Sequence, residues 1–119
     1  MTAPGTILVI EDDGATRDLI AEVLSDAGYT VRLVSDGIGG ITALADEQPH
    51  LILVDNHVPR ASGLAFVRSI QSLGISVPIG LMTTDTYPPD HSNLPNIVFC
   101  LLKPFELDEL LDRIAEYIN

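Results

Sequence analysis

Five separated residues carry side chains that could do chemistry together: Glu11, Asp12, Asp55, Thr83 and Lys103. Each follows a short apolar run, Ile7-Leu-Val-Ile10 before the acidic pair, Leu51-Ile-Leu-Val54 before Asp55, Ile79-Gly-Leu-Met82 before Thr83, and Ile97-Val-Phe-Cys-Leu-Leu102 before Lys103. If these ends converge, three carboxylates share a small space. Two like charges about 4 Å apart repel by about 4 kcal/mol at an effective dielectric of 20, so such a cluster needs cations. A divalent ion together with the Lys103 ammonium balances the three acids. Oxygen ligands with room for water and phosphate oxygens suit magnesium, whereas zinc prefers histidine and cysteine. The expected ion is therefore Mg2+. Helix capping in solvent would explain an acid such as Asp13, but it does not explain the placement of all five residues.

Convergence depends on the elements that carry these residues. Residues 6–10 read as a strand covered on both faces, because the apolar run is continuous. Ala15, Leu19, Ile20, Val23, Leu24 and Ala27 then recur at helical spacing. Asp13 is placed to cap this helix and Gly28 to stop it in the left-handed conformation. Residues 29–34 read as a second strand, followed by a weaker helix carrying Ile38, Ile41, Leu44 and Ala45 that has ended by Pro49. Residues 50–54 repeat the buried-strand pattern. Ser62 or Gly63 opens a third helix, with Leu64, Val67, Ile70 and Leu73 inward and Gly74 closing it. Residues 77–82 are the fourth strand. Between 85 and 96 stand Pro88, Pro89 and Pro95. An interior proline costs a helix about 3 kcal/mol, so any helix there is limited to a turn or two. Residues 97–102 form the fifth strand. Leu107, Leu110, Leu111, Ile114 and Ile118 make the clearest helical stripe, with Glu106, Asp108 and Glu109 in the first turn, where the helix dipole favours acids.

Strands alternating with helices on short connections predict an α/β fold, because each right-handed crossover returns over a parallel sheet. Ligands of such sheets bind beyond the carboxyl ends of the strands, where strand order reverses. All five residues stand at such ends. With 119 residues the chain fits a single domain, residues 1–119. A hydrophobic content of 46% against 19% charged residues marks a packed globule. The net charge of −11, with six Lys and Arg, argues against a direct nucleic-acid surface. No apolar run approaches the roughly 20 residues a bilayer demands, so no membrane span is expected. The first residues lack a basic, apolar leader, and the single cysteine, Cys100, cannot form an internal disulfide. The expected compartment is the cytoplasm.

The motifs resemble those of the response-regulator receiver family over essentially the whole chain. Ile7-Leu-Val-Ile-Glu11-Asp12-Asp13 followed by Arg17 is similar to the first-strand acidic pair and its downstream arginine, which makes Glu11 and Asp12 the pair and leaves Asp13 outside it. Leu53-Val-Asp55-Asn-His-Val-Pro59-Arg-Ala-Ser-Gly63 resembles the acceptor loop, with Val58 in place of the usual Met or Leu. Pro78-Ile-Gly-Leu-Met-Thr83 and Lys103-Pro104-Phe105 complete the set. The resemblance implies a flavodoxin-like (βα)5 three-layer sandwich, strand order 2-1-3-4-5, with a short or irregular fourth helix. It implies that Asp55 accepts a phosphoryl group from the phosphohistidine of a sensor histidine kinase or histidine phosphotransfer protein. Asp12 would hold Mg2+ directly, Glu11 through water, and Asp55 and the carbonyl of His57 would add ligands. Lys103 would pair with a phosphoryl oxygen, and Thr83 would hydrogen-bond another and bias a two-state surface. That surface would serve an output domain, a downstream protein or a second copy in a homodimer. The domain assists its own phosphotransfer and dephosphorylation and is otherwise no enzyme.

Four features depart from the family pattern. Thr84 replaces a small residue and would narrow the approach to Asp55. His57 and Asp85 line the route for attacking water, although two solvated loop residues is the preferred reading. Cys100 stands where an aromatic usually swings with Thr83; it reads as a core residue, with Phe99 facing the other side of the strand. The prolines alter the fourth-helix surface. The missing aromatic at Cys100 and the altered fourth segment are what a second reading uses, a protein-interaction module that keeps the fold and signals without phosphorylation. A third, a haloacid-dehalogenase-like phosphatase, expects an acid two residues after its nucleophile, where this chain has His57.

Overall fold

The structure, a computed structural model, describes residues 5–57, 62–85 and 90–118. Five parallel strands, β1 (Thr6–Ile10), β2 (Thr30–Val34), β3 (Leu51–Asp55), β4 (Ile79–Thr83) and β5 (Ile97–Leu102), lie in the order β2-β1-β3-β4-β5. Four helices accompany them: α1 (Gly14–Asp26), α2 (Gly37–Asp46), α3 (Gly63–Ser72) and α4 (Leu107–Ala115). The expected strand order is met.

Alternation along each strand sends side chains to opposite faces. Ile7, Val9, Leu51, Leu53 and Met82 pack with Ile20 and Leu24 of α1 and Leu110 and Ile114 of α4. Leu8, Ile10, Ile52, Val54, Ile79 and Leu81 pack with Leu44 of α2 and Phe66, Val67 and Ile70 of α3. The sheet is thus the middle of three layers. β3 and β4 are buried along their whole length, which is why their sequences run apolar without interruption.

Local signals account for the helix boundaries. Asp13 caps α1, its Oδ2 accepting from the Thr16 amide at 2.9 Å, and Gly28 follows the helix at φ 99°. Ser62 caps α3, and Gly74 follows at φ 77°. Glu106 is the cap position of α4 and not part of its first turn, which holds Asp108 and Glu109.

Several apolar stripe positions differ from expectation. Ile38 is 55% exposed, and α2 approaches the sheet through Gly37, Gly40 and Leu44. A Cβ at Gly40 would stand 2.6 Å from Ile10 Cδ1 and 2.8 Å from Phe66 Cε1, so the helix sits too close for a side chain there. Leu73 is 63% exposed because it is the cap beyond the last turn of α3, and Phe66 takes the inward place. β4 starts at Ile79 and not at 77, since Pro78 has no N–H for the ladder, and it extends to Thr83. Between β4 and β5 the described residues form turns and no helix; Pro88 and Pro89 lie outside the described residues.

One irregularity in β5 was not legible as spacing. Ile79 pairs with Ile97, but Gly80 pairs with Phe99, so Val98 is an extra residue. The bulge turns Ile97 toward the α2–α3 face and Phe99 and Leu101 toward the α1–α4 face. Cys100 packs partly buried on the α2–α3 side, so Phe99 does face away from it.

Candidate functional site

The register of the sheet brings the chemical residues together. Ile10 pairs with Val54, so the next residues, Glu11 and Asp55, leave neighbouring strands side by side. Asp55 is also the partner of Met82, and Thr83 of Leu102, which sets Thr83 and Lys103 at the same edge of the sheet. Carboxylate oxygens of Glu11, Asp12 and Asp55 lie within 4.8 Å of one another.

Glu11 is fully buried and Asp12 is exposed. The Glu11 amide donates to Val34 O at 3.2 Å, and Arg17 Nη1 donates to Glu11 O at 3.0 Å, which fixes the backbone where β1 ends. The Asp13 amide donates to Glu11 Oε2 at 3.3 Å. Asp13 therefore serves as helix cap and as an anchor for its neighbour, outside the acidic pair. Lys103 Nζ donates to Glu11 Oε1 at 2.5 Å and to Asp55 Oδ2 at 3.2 Å. Its own amide donates to Thr83 O at 2.7 Å, and the Lys103–Pro104 peptide is cis.

Burial is the largest influence on Glu11 and raises its pKa; the Lys103 bond opposes this and nearby Asp55 adds to it. On Lys103 burial works against the charge, but the bond to Glu11 and the charges of Asp55 and Glu11 outweigh it, so the pKa rises. The ammonium keeps its proton and acts as the cation of the cluster.

The remaining site residues surround this centre. The His57 amide donates to Asp55 Oδ1 at 3.2 Å. Thr83 is fully buried, its Oγ1 accepting from the Asp85 amide at 3.0 Å. His57 and Asp85 are not two independently solvated residues: His57 Nε2 lies 3.5 Å from Asp85 Oδ2, with both side chains about half exposed. Thr84 faces a cavity of about 340 Å³ lined also by Thr16, Leu19, Lys103, Phe105 and Leu107. Cys100 stands away from this centre, and burial raises its thiol pKa above the ordinary value. Val58, Pro59, Arg60 and Ala61 of the acceptor loop lie outside the described residues.

Sequence reasoning missed Asn56, which is buried with its Oδ1 unpartnered among the described residues. It also missed the tie between His57 and Asp85. Position alone carried no signal for either, since both are loop residues following strands.

Comparison with known proteins agrees with this geometry. The family model of the response regulator receiver domain matches residues 7–115. The response regulator MprA of Mycobacterium sp. strain KMS is 35% identical over 118 residues, covering 98% of this chain and 51% of that protein. A receiver domain of a sensor histidine kinase from Pseudomonas aeruginosa PAO1, solved with a magnesium ion coordinated in its active-site cleft, is 29% identical with a TM-score of 0.83. That match covers 95% of this chain and 96% of the other. A chemotaxis response regulator of Vibrio cholerae gives a TM-score of 0.80 at 25% identity, covering 94% and 97% of the two chains. The chain spans about half the length of the curated relatives it matches. Matched along nearly its whole length and carrying the acids and lysine at the ends of its strands, the chain belongs to the response regulator receiver domain family of two-component signalling.

Proposed function

We propose that this domain accepts a phosphoryl group on Asp55 from the phosphohistidine of a histidine kinase or histidine phosphotransfer protein, with Mg2+ bound at Glu11, Asp12 and Asp55. One observation carries the reading: three carboxylates within 4.8 Å share a space with one lysine that bonds two of them. An acidic cluster held this closely suits a hard cation, because all its side-chain donors are oxygens and exposed Asp12 leaves room for water. The magnesium ion in the Pseudomonas aeruginosa receiver domain supports the same assignment. Glu11, Asp12, Asp55 and the carbonyl of His57 would hold the ion, which supplies charge neutralisation at the phosphoryl oxygens when bound.

The protein's own part is positioning and electrostatics. The His57 amide and Lys103 orient the Asp55 carboxylate. A carboxylate oxygen forms the new P–O bond as the donor's P–N bond breaks, and the imidazole leaves with the electron pair. Lys103 balances charge on the transferred group, and Thr83 offers its hydroxyl to a phosphoryl oxygen. Movement of Thr83 and its loop then biases the surface read by an output domain, a downstream protein or a second copy. Thr84, Asp85 and Cys100 tune these steps. Residues 1–119 act as one receiver domain in the cytoplasm, and the net charge of −11 leaves any nucleic-acid contact to another part of the protein. Among the described residues no helix is long and apolar enough to cross a membrane. A module that signals without phosphorylation would have no use for this cluster, and no observation favours it.

Incubation with acetyl phosphate and Mg2+, followed by intact mass and peptide mapping, tests the reading. The expected product carries one phosphoryl group on Asp55, formed only with metal and absent in Asp55→Asn. Equal labelling of that variant would overturn the assignment.

A further inference from the structure

Transfer to Asp55 makes an acyl phosphate, the mixed anhydride of a carboxylic and a phosphoric acid. A small acyl phosphate is a chemically matched donor, because the bond it gives up is of the same kind as the bond Asp55 gains. Beside the acceptor lies the cavity of about 340 Å³, within the roughly 300–1,000 Å³ common for small-ligand sites. Lys103 belongs to both, since it lines the cavity while its Nζ donates to Asp55 Oδ2 at 3.2 Å. Thr84, which follows Thr83, is a second link. Beyond these two the walls are largely apolar, with Leu19 and Ile20 of α1 on one side and Phe105 and Leu107 after β5 on the other. Leu19 is 49% exposed, an apolar side chain left uncovered at the wall.

Resting on the reading of Asp55 as acceptor, we infer that this cavity is an acyl pocket, which selects small acyl phosphates with an acyl chain longer than acetyl as phosphoryl donors. The anionic head of such a donor belongs with Lys103 and the metal, and its hydrocarbon tail with Leu19, Phe105 and Leu107. The charge pattern of the site thus matches a phosphate on a short apolar chain. A carboxylate oxygen of Asp55 attacks phosphorus, the P–O bond to the acyl oxygen breaks, and the donor's carboxylate leaves with the electron pair. It departs as an anion and takes no proton. Acetate, propionate and butyrate are carboxylates of nearly equal basicity, so reactivity alone does not rank their phosphates. Burial of the chain does, because each CH2 taken from water is worth about 0.8 kcal/mol, or about fourfold. Leu19 and Leu107 are specificity residues, acting on the chain and not on the phosphorus.

The test follows labelling of Asp55 by intact mass with Mg2+ and acetyl, propionyl or butyryl phosphate. Two added methylenes at a wall still open to solvent should raise the second-order rate constant by roughly three- to tenfold from acetyl to butyryl. Leu19→Ser should bring butyryl phosphate back to within about twofold of acetyl phosphate, since the chain then meets a polar wall. The acetyl rate should stay unchanged, which also shows that the variant is folded. Leu107→Ser, on the other wall, should behave alike and decides the pocket should Leu19→Ser lose the acetyl reaction. Equal rates along the series in wild type leave the cavity to a side chain of a donor protein and overturn the acyl pocket. A chain-length preference that survives both substitutions overturns it too. Methyl NMR needs no transfer: butyryl phosphate should shift the Leu19 and Leu107 methyl signals, acetyl phosphate should not, and no shift with butyryl phosphate overturns the pocket. If wild type takes no phosphoryl group from any of these donors, the acceptor reading fails and the methyl shifts alone decide the pocket.

Discussion

The ring of Phe99 fills the space that a side chain at Gly80 would occupy. A Cβ on Gly80 would overlap the Phe99 ring and stand 3.0 Å from Leu53 Cδ2. Phe99 in turn stacks on Tyr117, with ring centroids 5.7 Å apart, and lies under the Arg113 guanidinium. The one aromatic of β5 is thus committed to the α1–α4 face, while Cys100 faces the other way.

Gly80→Ala should destabilise the domain by about 1–3 kcal/mol, the usual cost of overpacking a filled core. In a Phe99→Leu background the same substitution should cost less. Urea unfolding of the four proteins gives the coupling; equal costs in both backgrounds would show that Phe99 is not the obstacle.

Lys103→Met leaves Glu11 buried without its cation. Removing one partner of a buried pair costs about 3–5 kcal/mol. Burial already raises the Glu11 pKa in the fold. A group raised in the folded state adds stability below its unfolded pKa and loses it as pH rises through the folded value. The variant should therefore be weakest at neutral pH and recover on mild acidification, when Glu11 takes a proton. Urea unfolding at both pH values tests this, and a deficit independent of pH would contradict it.

Asp12 is exposed and makes no side-chain hydrogen bond or ion pair among the described residues, so Asp12→Ala should change apo stability by no more than about 0.5 kcal/mol. It should nevertheless abolish most of the rise in Tm that Mg2+ gives the wild type, because a ligand of the native state stabilises in proportion to its affinity. Thermal unfolding with and without Mg2+ separates the two effects.

The side-chain and backbone bonds from Thr16 lower the Asp13 pKa. A depressed carboxylate contributes stability above its unfolded pKa and loses it as pH falls through the folded value. Asp13→Asn keeps the cap without the charge. Its helix should lose less stability than the wild type across that acid range, as followed by circular dichroism; identical acid limbs would remove Asp13 from the account.

Much of this was legible in the chain. An apolar run that ends at an acid marks both a strand buried on two faces and the edge where ligands bind, so Glu11, Asp12 and Asp55 could be placed before any contact was known. Asp13 and Ser62 announced helix starts because a short oxygen-bearing side chain satisfies the free amides of a first turn. The alternation of β5 foretold that Phe99 and Cys100 part company. Helical spacing was less informative about depth. It grouped Ile38 and Leu73 with buried residues, although spacing says nothing of how closely a helix approaches or where its last turn ends.

Periodicity is a property of neighbours along the chain, and it set the element order and the ends that carry chemistry. Partners far apart in sequence answer to packing. Lys103 lies 92 positions from Glu11 and 48 from Asp55, and it joins both because the sheet interleaves their strands. The extra residue at Val98, the glycine contacts of α2 and the tie between His57 and Asp85 likewise exist only once layers are packed, because each depends on a distance between elements that no local pattern encodes.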